Sequence, residues 1–209
     1  MRVIAIDGPA GSGKSTVAKR LAERLGLGYL DTGAMYRAVA FAALRADVDP
    51  DDAERVGVLS ERLPIEVGDS VIVDGVDATV EIRGPEVTRA VSAVAANPAV
   101  RAELRERQRA WAAAHGGGVI EGRDIGSVVF PDADLKVYLT ASPGARAARR
   151  AQEVTDLDYE TVAADIARRD ALDQGREHNP LIEADDAVVV DTTDKTIDQV
   201  VDEVLERLR

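Results

Sequence analysis

Residues Gly8, Pro9, Ala10, Gly11, Ser12, Gly13, Lys14, Ser15 and Thr16 set three glycines, one lysine and a run of hydroxyls into nine consecutive positions, a spacing that suits phosphate. Glycines let the backbone curl until successive N–H groups point at one anion, and a helix starting at the end of the turn adds its positive N-terminal end. The pattern is G-x-x-x-x-G-K-[ST]. Lys14 would bridge β- and γ-phosphates, Ser15 would offer its hydroxyl to Mg2+, and Thr16 would support the helix. An apolar run at 3–7 precedes the motif and a helical pattern follows it, the strand–turn–helix context that a phosphate loop requires. A nucleoside triphosphate site is the expectation.

Further charged residues have suggestive spacing. Arg123 and Asp124 follow the apolar run 119–121 and Gly122, at the carboxyl end of an expected strand, where open α/β sheets bind ligands; a charged turn would use the same residue types. Arg146, Arg149 and Arg150 are three and four apart and share one helix face, which would either cover a triphosphate or simply solubilise the helix. The spacing leaves open which of the three points inward. Arg169, Asp173 and Arg176 are four and three apart, and share a face if their helix continues that far. His115 and His178 read as surface or loop residues. A guanine-reading N-K-x-D motif is missing: Thr193-Asp194 is preceded by Asp191-Thr192, which argues against a GTP-binding switch.

These residues need elements to position them. Apolar, β-branched runs at 3–7, 28–30, 119–121, 135–139 and 187–190 alternate with helical patterns, which predicts a five-stranded parallel sheet covered on both faces. Segments 65–67, 70–73 and 79–82 alternate around Gly68-Asp69 and Asp74-Gly75, so a small antiparallel insertion is expected at about 63–84. Helices are expected at 86–96, 99–114, 143–152, 159–173 and 196–207, with Pro98 at a start and Gly116-Gly117-Gly118 as a stop. No repeat or linker divides the chain, so one domain over 1–209 is expected.

Composition narrows the class. A chain of 209 residues suits one α/β domain with a full core. It has no cysteine, which excludes disulfides and thiolate metal sites and suits a reducing compartment. No run approaches the roughly 20 apolar residues of a membrane span, and the first eight residues form too short an apolar stretch for a secretion signal; a soluble, cytoplasmic protein is expected. With 26 basic and 38 acidic residues the net charge is −12, which opposes binding to nucleic acid or anionic membrane. A small anionic substrate must then meet locally concentrated arginines.

The segments GPAGSGKST, LDTGAMYRA, VSAVAANPAVRAELRERQR, EGRDIGSVVFPDA and RRDALDQGREHNPL, in that order and spanning nearly the whole chain, resemble bacterial cytidylate kinases. The resemblance implies a three-layer P-loop kinase fold with a helical lid at about 146–176. It also implies ATP as phosphoryl donor, Mg2+ as the assisting ion, CMP and dCMP as acceptors, and a monomer. In similar kinases the positions of Thr32 and Arg37 face the monophosphate, Ser92 the pentose and Arg101 the base. Arg123 would hold the phosphate, Arg169 and Asp173 the sugar, and Arg176 the base. Lys14, Arg123, Arg149 and Arg150 are the catalytic candidates. Asp124 would accept a hydrogen bond from the exocyclic amine of cytosine, where uracil would present a second acceptor and leave both groups unpaired.

The acceptor phosphate has a second pKa near ~6, so no dedicated base is needed, which suits a site rich in arginine and poor in histidine. Asp7 and Asp31 end expected strands near the site and would serve as metal ligands or turn caps. After Arg176 the chain reads Glu177-His178-Asn179-Pro180, where many relatives have a small residue before the proline. The competing classes are a kinase for UMP, AMP or shikimate, which would lack the Asp124 and Arg176 pattern, and a nucleotide-binding protein without turnover.

Overall fold

The computed structural model describes residues 1–153, 158–176 and 181–208. The expectations for His178 and for the segment 177–180 lie outside the described residues, as do residues 154–157 of the expected lid. The chain divides into two compact units, one formed by Met1–Tyr29 with His115–Arg209 and the other by Leu30–Ala114.

In chain order, the elements are β1 (Arg2–Asp7), α1 (Lys14–Leu25) and β2 (Tyr29–Asp31), then α2 (Thr32–Arg45), α3 (Ala53–Arg62), β3 (Ile65–Val67), β4 (Val71–Val73), β5 (Val76–Asp77), α4 (Pro85–Ala96) and α5 (Pro98–Ala114). After these come β6 (Gly117–Glu121), β7 (Leu135–Thr140), α6 (Pro143–Glu153), α7 (Tyr159–Gln174), β8 (Val188–Asp191) and α8 (Ile197–Glu206). The five expected strands form one parallel sheet in the order β2-β6-β1-β7-β8. The register pairs Ile4 with Val119 on one side of β1 and Ile6 with Val137 on the other. Central strands buried on both faces need continuous apolar runs, and β1 supplies Val3-Ile4-Ala5-Ile6 with every side chain buried. Ile4, Ile6, Val137 and Leu139 pack with Val17 and Leu21 of α1 and with Val200, Val201 and Val204 of α8. Each such fully buried side chain contributes about 1.5–3 kcal/mol. α8 begins with a reciprocal cap in which Gln199 N–H donates to the Thr196 hydroxyl and Thr196 N–H donates to Gln199 Oε1.

A parallel sheet brings all its carboxyl ends to one edge. The segments that follow β1, β6, β7 and β8, which carry the phosphate loop, Arg123-Asp124, α6 and Thr192-Thr193, therefore all leave from that edge.

In the Leu30–Ala114 unit, β3, β4 and β5 form the expected antiparallel sheet, with one correction. The third strand is Val76–Asp77, not the alternating segment 79–82. Asp74 and Gly75 both have positive φ (49° and 75°), so they make a two-residue hairpin turn that sets Val76 opposite Val73 at once. Thr79 then ends the pairing, accepting from Val71 N–H through its hydroxyl, and Glu81–Arg83 coil into a 3-10 turn. Helix α3 was not anticipated; Asp52 caps its start by accepting from Arg55 N–H. Arg107 on α5 covers its end, donating to the carbonyls of Leu63 (2.6 Å) and Ser60 (2.9 Å).

Candidate active site

The phosphate loop runs from the end of β1 into α1. Gly8 has φ 146° and lies so close to Leu139 that a Cβ would sit 2.1 Å from its carbonyl oxygen; Gly13 takes a left-handed φ of 88° just before the helix. Only glycine fits the first position, and it is the economical residue at the second. Lys14 is buried at the first turn of α1 and donates to Pro9 C=O (2.8 Å), closing the loop on itself. Ser15 and Thr16 are exposed on the same turn.

The loop is held from three sides within its own unit. Arg146 of α6 donates to Ala10 C=O (3.0 Å) and pairs with Asp170 of α7, whose other oxygen accepts from Ala10 N–H (3.3 Å). The Thr192 hydroxyl lies 3.0 Å from Ser12 C=O and 3.1 Å from Thr140 C=O, sharing its one proton between them. Arg149 donates to that hydroxyl (2.9 Å) and to Thr192 C=O (2.5 Å). Arg146, Arg149 and Arg150 thus share a face, as their spacing predicts. Arg146 meets the phosphate loop, Arg149 meets the segment after β8, and the charge of Arg150 is felt by Arg169.

Beyond β6, Gly122 N–H still pairs with Ile6 C=O, and Arg123 and Asp124 follow directly. Arg123 Nε donates to Asp173 Oδ2 (2.8 Å), and Arg176 pairs with the other Asp173 oxygen. Helix α7 ends at Gln174, so Arg176 lies past it, yet Asp173 still gathers both arginines. Asp124 is 4% exposed, and its carbonyl accepts from Val128 N–H (2.9 Å) and Val129 N–H (3.2 Å) in a single π-helical turn, Ile125–Val129.

The electrostatics tie these groups together. Burial pushes the Lys14 ammonium down to about 7, with the Arg123 and Arg169 charges adding to the shift and Glu121 and Asp7 opposing it. Burial also pushes the Arg169 guanidinium down to about 10, helped by Arg123 and Arg150 and opposed by Asp173 and Asp170. Burial works against the Arg123 charge too, but Asp173 outweighs it and holds Arg123 above its usual value. Burial raises the Asp173 carboxyl, and the charges of Arg123 and then Arg176 more than reverse this, so it titrates below the usual carboxylate range. Lys14, Arg123 and Arg169 therefore repel one another in a desolvated place, and Arg169 Nε is buried without a hydrogen-bond partner. An arriving polyanion would relieve that repulsion.

The remaining sequence candidates lie in the Leu30–Ala114 unit. Thr32 opens α2 and is buried. Arg37 donates to Ile82 C=O (2.9 Å) and to the Thr88 hydroxyl (3.0 Å). Ser92 is half-buried on α4. Arg101 of α5 donates to Ala95 C=O (3.2 Å) and sets its guanidinium 5.7 Å from the centre of the Tyr36 ring. Asp31 caps α2 through Ala34 N–H (3.0 Å) and faces Arg83 (3.4 Å). His115 is exposed.

Three positions escaped the sequence reading as parts of this site: Asp170, Thr192 and the role of Asp7. Asp170 carries a signal, since it stands between Arg169 and Asp173 on the same helix; Thr192 carries none beyond its place after a strand.

The sequence model of the family described as cytidylate kinase matches residues 4–209. A cytidylate kinase of Mycolicibacterium paratuberculosis is 52% identical, covering 99% of this chain and 95% of that protein. One of Streptomyces griseus is 50% identical, covering 96% and 89%. A solved structure of an uncharacterized protein from Eubacterium ventriosum aligns with a TM-score of 0.56 at 14% identity over 99% of this chain and 97% of that one. That of TT1252 from Thermus thermophilus aligns at 0.50 and 20% identity over 100% and 98%. Identities this low speak for the fold alone, whereas the full-length match to the family model and the half-identical relatives settle membership: the chain belongs to the cytidylate kinase family.

Proposed function

We propose that the chain transfers the ATP γ-phosphoryl group directly and in line to the phosphate of CMP or dCMP, giving ADP and CDP or dCDP, through the residues gathered at the carboxyl edge of the sheet. One observation carries the assignment of that edge: burial, together with the neighbouring Arg123 charge, holds both Lys14 and Arg169 below their usual values, and an incoming polyphosphate would relieve that.

Residues 8–16 cradle the donor phosphates through backbone N–H groups, and the Lys14 charge bridges β- and γ-oxygens. Arg123 steadies the transferring group, with Arg149 and Arg150 contributing from α6 as the lid settles. By resemblance to similar kinases, Thr32, Arg37 and Arg123 are assigned to the acceptor's phosphate, Ser92, Arg169 and Asp173 to its pentose, and Arg101, Asp124 and Arg176 to its base. Guanidinium forks bind phosphate oxygens in pairs and so fix orientation as well as charge. Since the attacking oxygen is already ionised, the chain's work is alignment, charge neutralisation and exclusion of water.

Ser15 is the chain's candidate ligand for Mg2+. Its side chain is exposed at the start of α1, and among the described residues no three His, Cys, Asp or Glu are grouped to hold a metal. That donor set fits an ion held chiefly by phosphate oxygens and water. Bound there, Mg2+ would offset phosphate charge.

No helix among the described residues is long and apolar enough to cross a membrane. A cytoplasmic monomer that takes small nucleotides and not nucleic acid completes the proposal, in keeping with the net charge of −12.

A coupled ADP-release assay with Mg-ATP and equal concentrations of CMP, dCMP, UMP, AMP, GMP and shikimate tests the acceptor. Dominance of CMP and dCMP is expected; dominance of any other acceptor removes the assignment.

A further inference from the structure

Asp7 is the last residue of the central strand β1 and is buried at 6% exposure, immediately before the phosphate loop. An aspartate at a strand end beside a nucleotide site invites a metal-binding or proton-transfer role, but its contacts lead elsewhere. Its Oδ1 accepts from Ile125 N–H (2.9 Å) and its Oδ2 from Gly126 N–H (2.8 Å), so one carboxylate receives two consecutive backbone amides that lie 118 and 119 residues away in the chain. These two amides open the single turn Ile125–Val129, and the first N–H groups of any helical turn lack partners within it. The turn's own hydrogen bonds fix the other end of the same peptide, because Asp124 C=O receives Val128 and Val129 N–H. Asp124 is thus held on both sides, by its carbonyl in the turn and by the next two amides on Asp7. The turn is also wedged from beneath, since a Cβ on Gly126 would meet Lys136 Cγ at 3.1 Å, and Lys136 is itself buried and paired with Asp186 (2.8 Å).

We infer that Asp7 is a positioning residue for the acceptor side, holding the turn that follows Asp124 so that the Asp124 carboxyl is presented in one orientation. The inference rests on the proposed base-reading role of Asp124. Burial pushes the Asp7 carboxyl up to about 6, and the Gly126 and Ile125 amides oppose that shift, so at neutral pH it is still an anion that accepts from both. The same residue precedes the phosphate loop in the chain, but its two carboxylate bonds both go to the acceptor turn.

The test compares Asp7→Asn, Gly126→Ala and Asp124→Ala with the wild-type chain, reading kcat and KM for CMP, UMP and ATP and amide exchange at Ile125 and Gly126. Asparagine keeps the shape of aspartate but turns an N–H toward one of the two amides, which leaves a buried donor unsatisfied. Asp7→Asn is expected to raise KM for CMP about tenfold and to lower the preference for CMP over UMP, with KM for ATP within about twofold, and to speed exchange at both amides. Gly126→Ala, which pushes the same turn off Lys136, is expected to give the same split.

Wild-type KM for CMP in Asp7→Asn, or an equal rise in KM for ATP, overturns the inference. If Asp7→Asn does not fold, Gly126→Ala and the wild-type amides decide, and unprotected amides at 125 and 126 overturn it. If Asp124→Ala keeps the wild-type preference while Asp7→Asn speeds exchange, the base-reading role falls and the anchoring of the turn stands.

Discussion

Replacing Asp173 by asparagine keeps its shape and removes one negative charge from the centre of a group of guanidinium ions. The residue is 4% exposed, with one oxygen 2.8 Å from Arg123 Nε and the other paired with Arg176. Removing one member of a buried ion pair costs about 3–5 kcal/mol, because the partner's charge stays behind uncompensated. For a chain of this size each kcal/mol moves Tm by about 2–4 °C, so Asp173→Asn is expected to unfold about 6–20 °C below the wild type at low ionic strength. The lost quantity is negative charge, so sulfate or ADP should raise the variant's Tm more than the wild type's.

The pH dependence has a definite sign. A carboxyl whose pKa is depressed by folding contributes stability above its unfolded pKa and loses it as pH falls through the folded one. The gap between the two proteins should therefore be level above about pH 5, start to narrow below the ordinary carboxylate value of about 4, and close only at the lower pH where folded Asp173 takes up its proton. Circular dichroism at a helical wavelength follows both. A variant that melts within about 2 °C of the wild type, or a sulfate effect equal in both, would refute the charge-balance argument.

The donor side offers a calorimetric check: with Lys14 near 7 in the free chain, ATP binding at about pH 8 should draw in close to one proton as phosphate restores its charge, seen as heats that vary with buffer ionisation enthalpy. Lys14→Met should lose that proton uptake, and Lys14→Ala should abolish transfer in the coupled assay. Asp7 has the opposite sign from Asp173. Burial moves its carboxyl up to about 6, so the stability it contributes is fully present below about pH 4 and lost as pH rises through 6. Wild-type unfolding free energy in urea should fall by on the order of 2–4 kcal/mol relative to Asp7→Asn across that range.

The sheet and the phosphate loop were legible because their signals are local. An unbroken β-branched run such as Val3-Ile4-Ala5-Ile6 has few folds open to it, and three glycines ahead of Lys14 announce a turn that only glycine makes. The third strand of the insertion was misplaced because Asp74-Gly75 makes a two-residue turn, which shifts the pairing three residues ahead of the alternating pattern. Helix α3 was missed although Asp52 is a local N-cap signal, because Ala53–Arg62 is largely polar and its end is covered by Arg107, a contact from a distant helix. Spacing put Arg169, Asp173 and Arg176 on one face only if the helix ran that far; it ends at Gln174, and Asp173 pairs with Arg176 from its last turn all the same. What spacing cannot carry is a contact between distant segments: Asp7 with Ile125 and Gly126, or Ala10 with Arg146 and Asp170, exists only once the sheet has aligned its carboxyl ends.

The most direct test of the account is the ratio of kcat/KM for CMP to that for UMP, measured in the wild type and in Asp124→Ala under Mg-ATP saturation. Hydrogen-bond mismatch at a buried carboxylate discriminates on the order of 10²-fold or more, so the ratio is predicted to favour CMP strongly in the wild type and to fall by about that factor in the variant, with KM for ATP little changed. A variant that keeps the wild-type ratio would contradict the account.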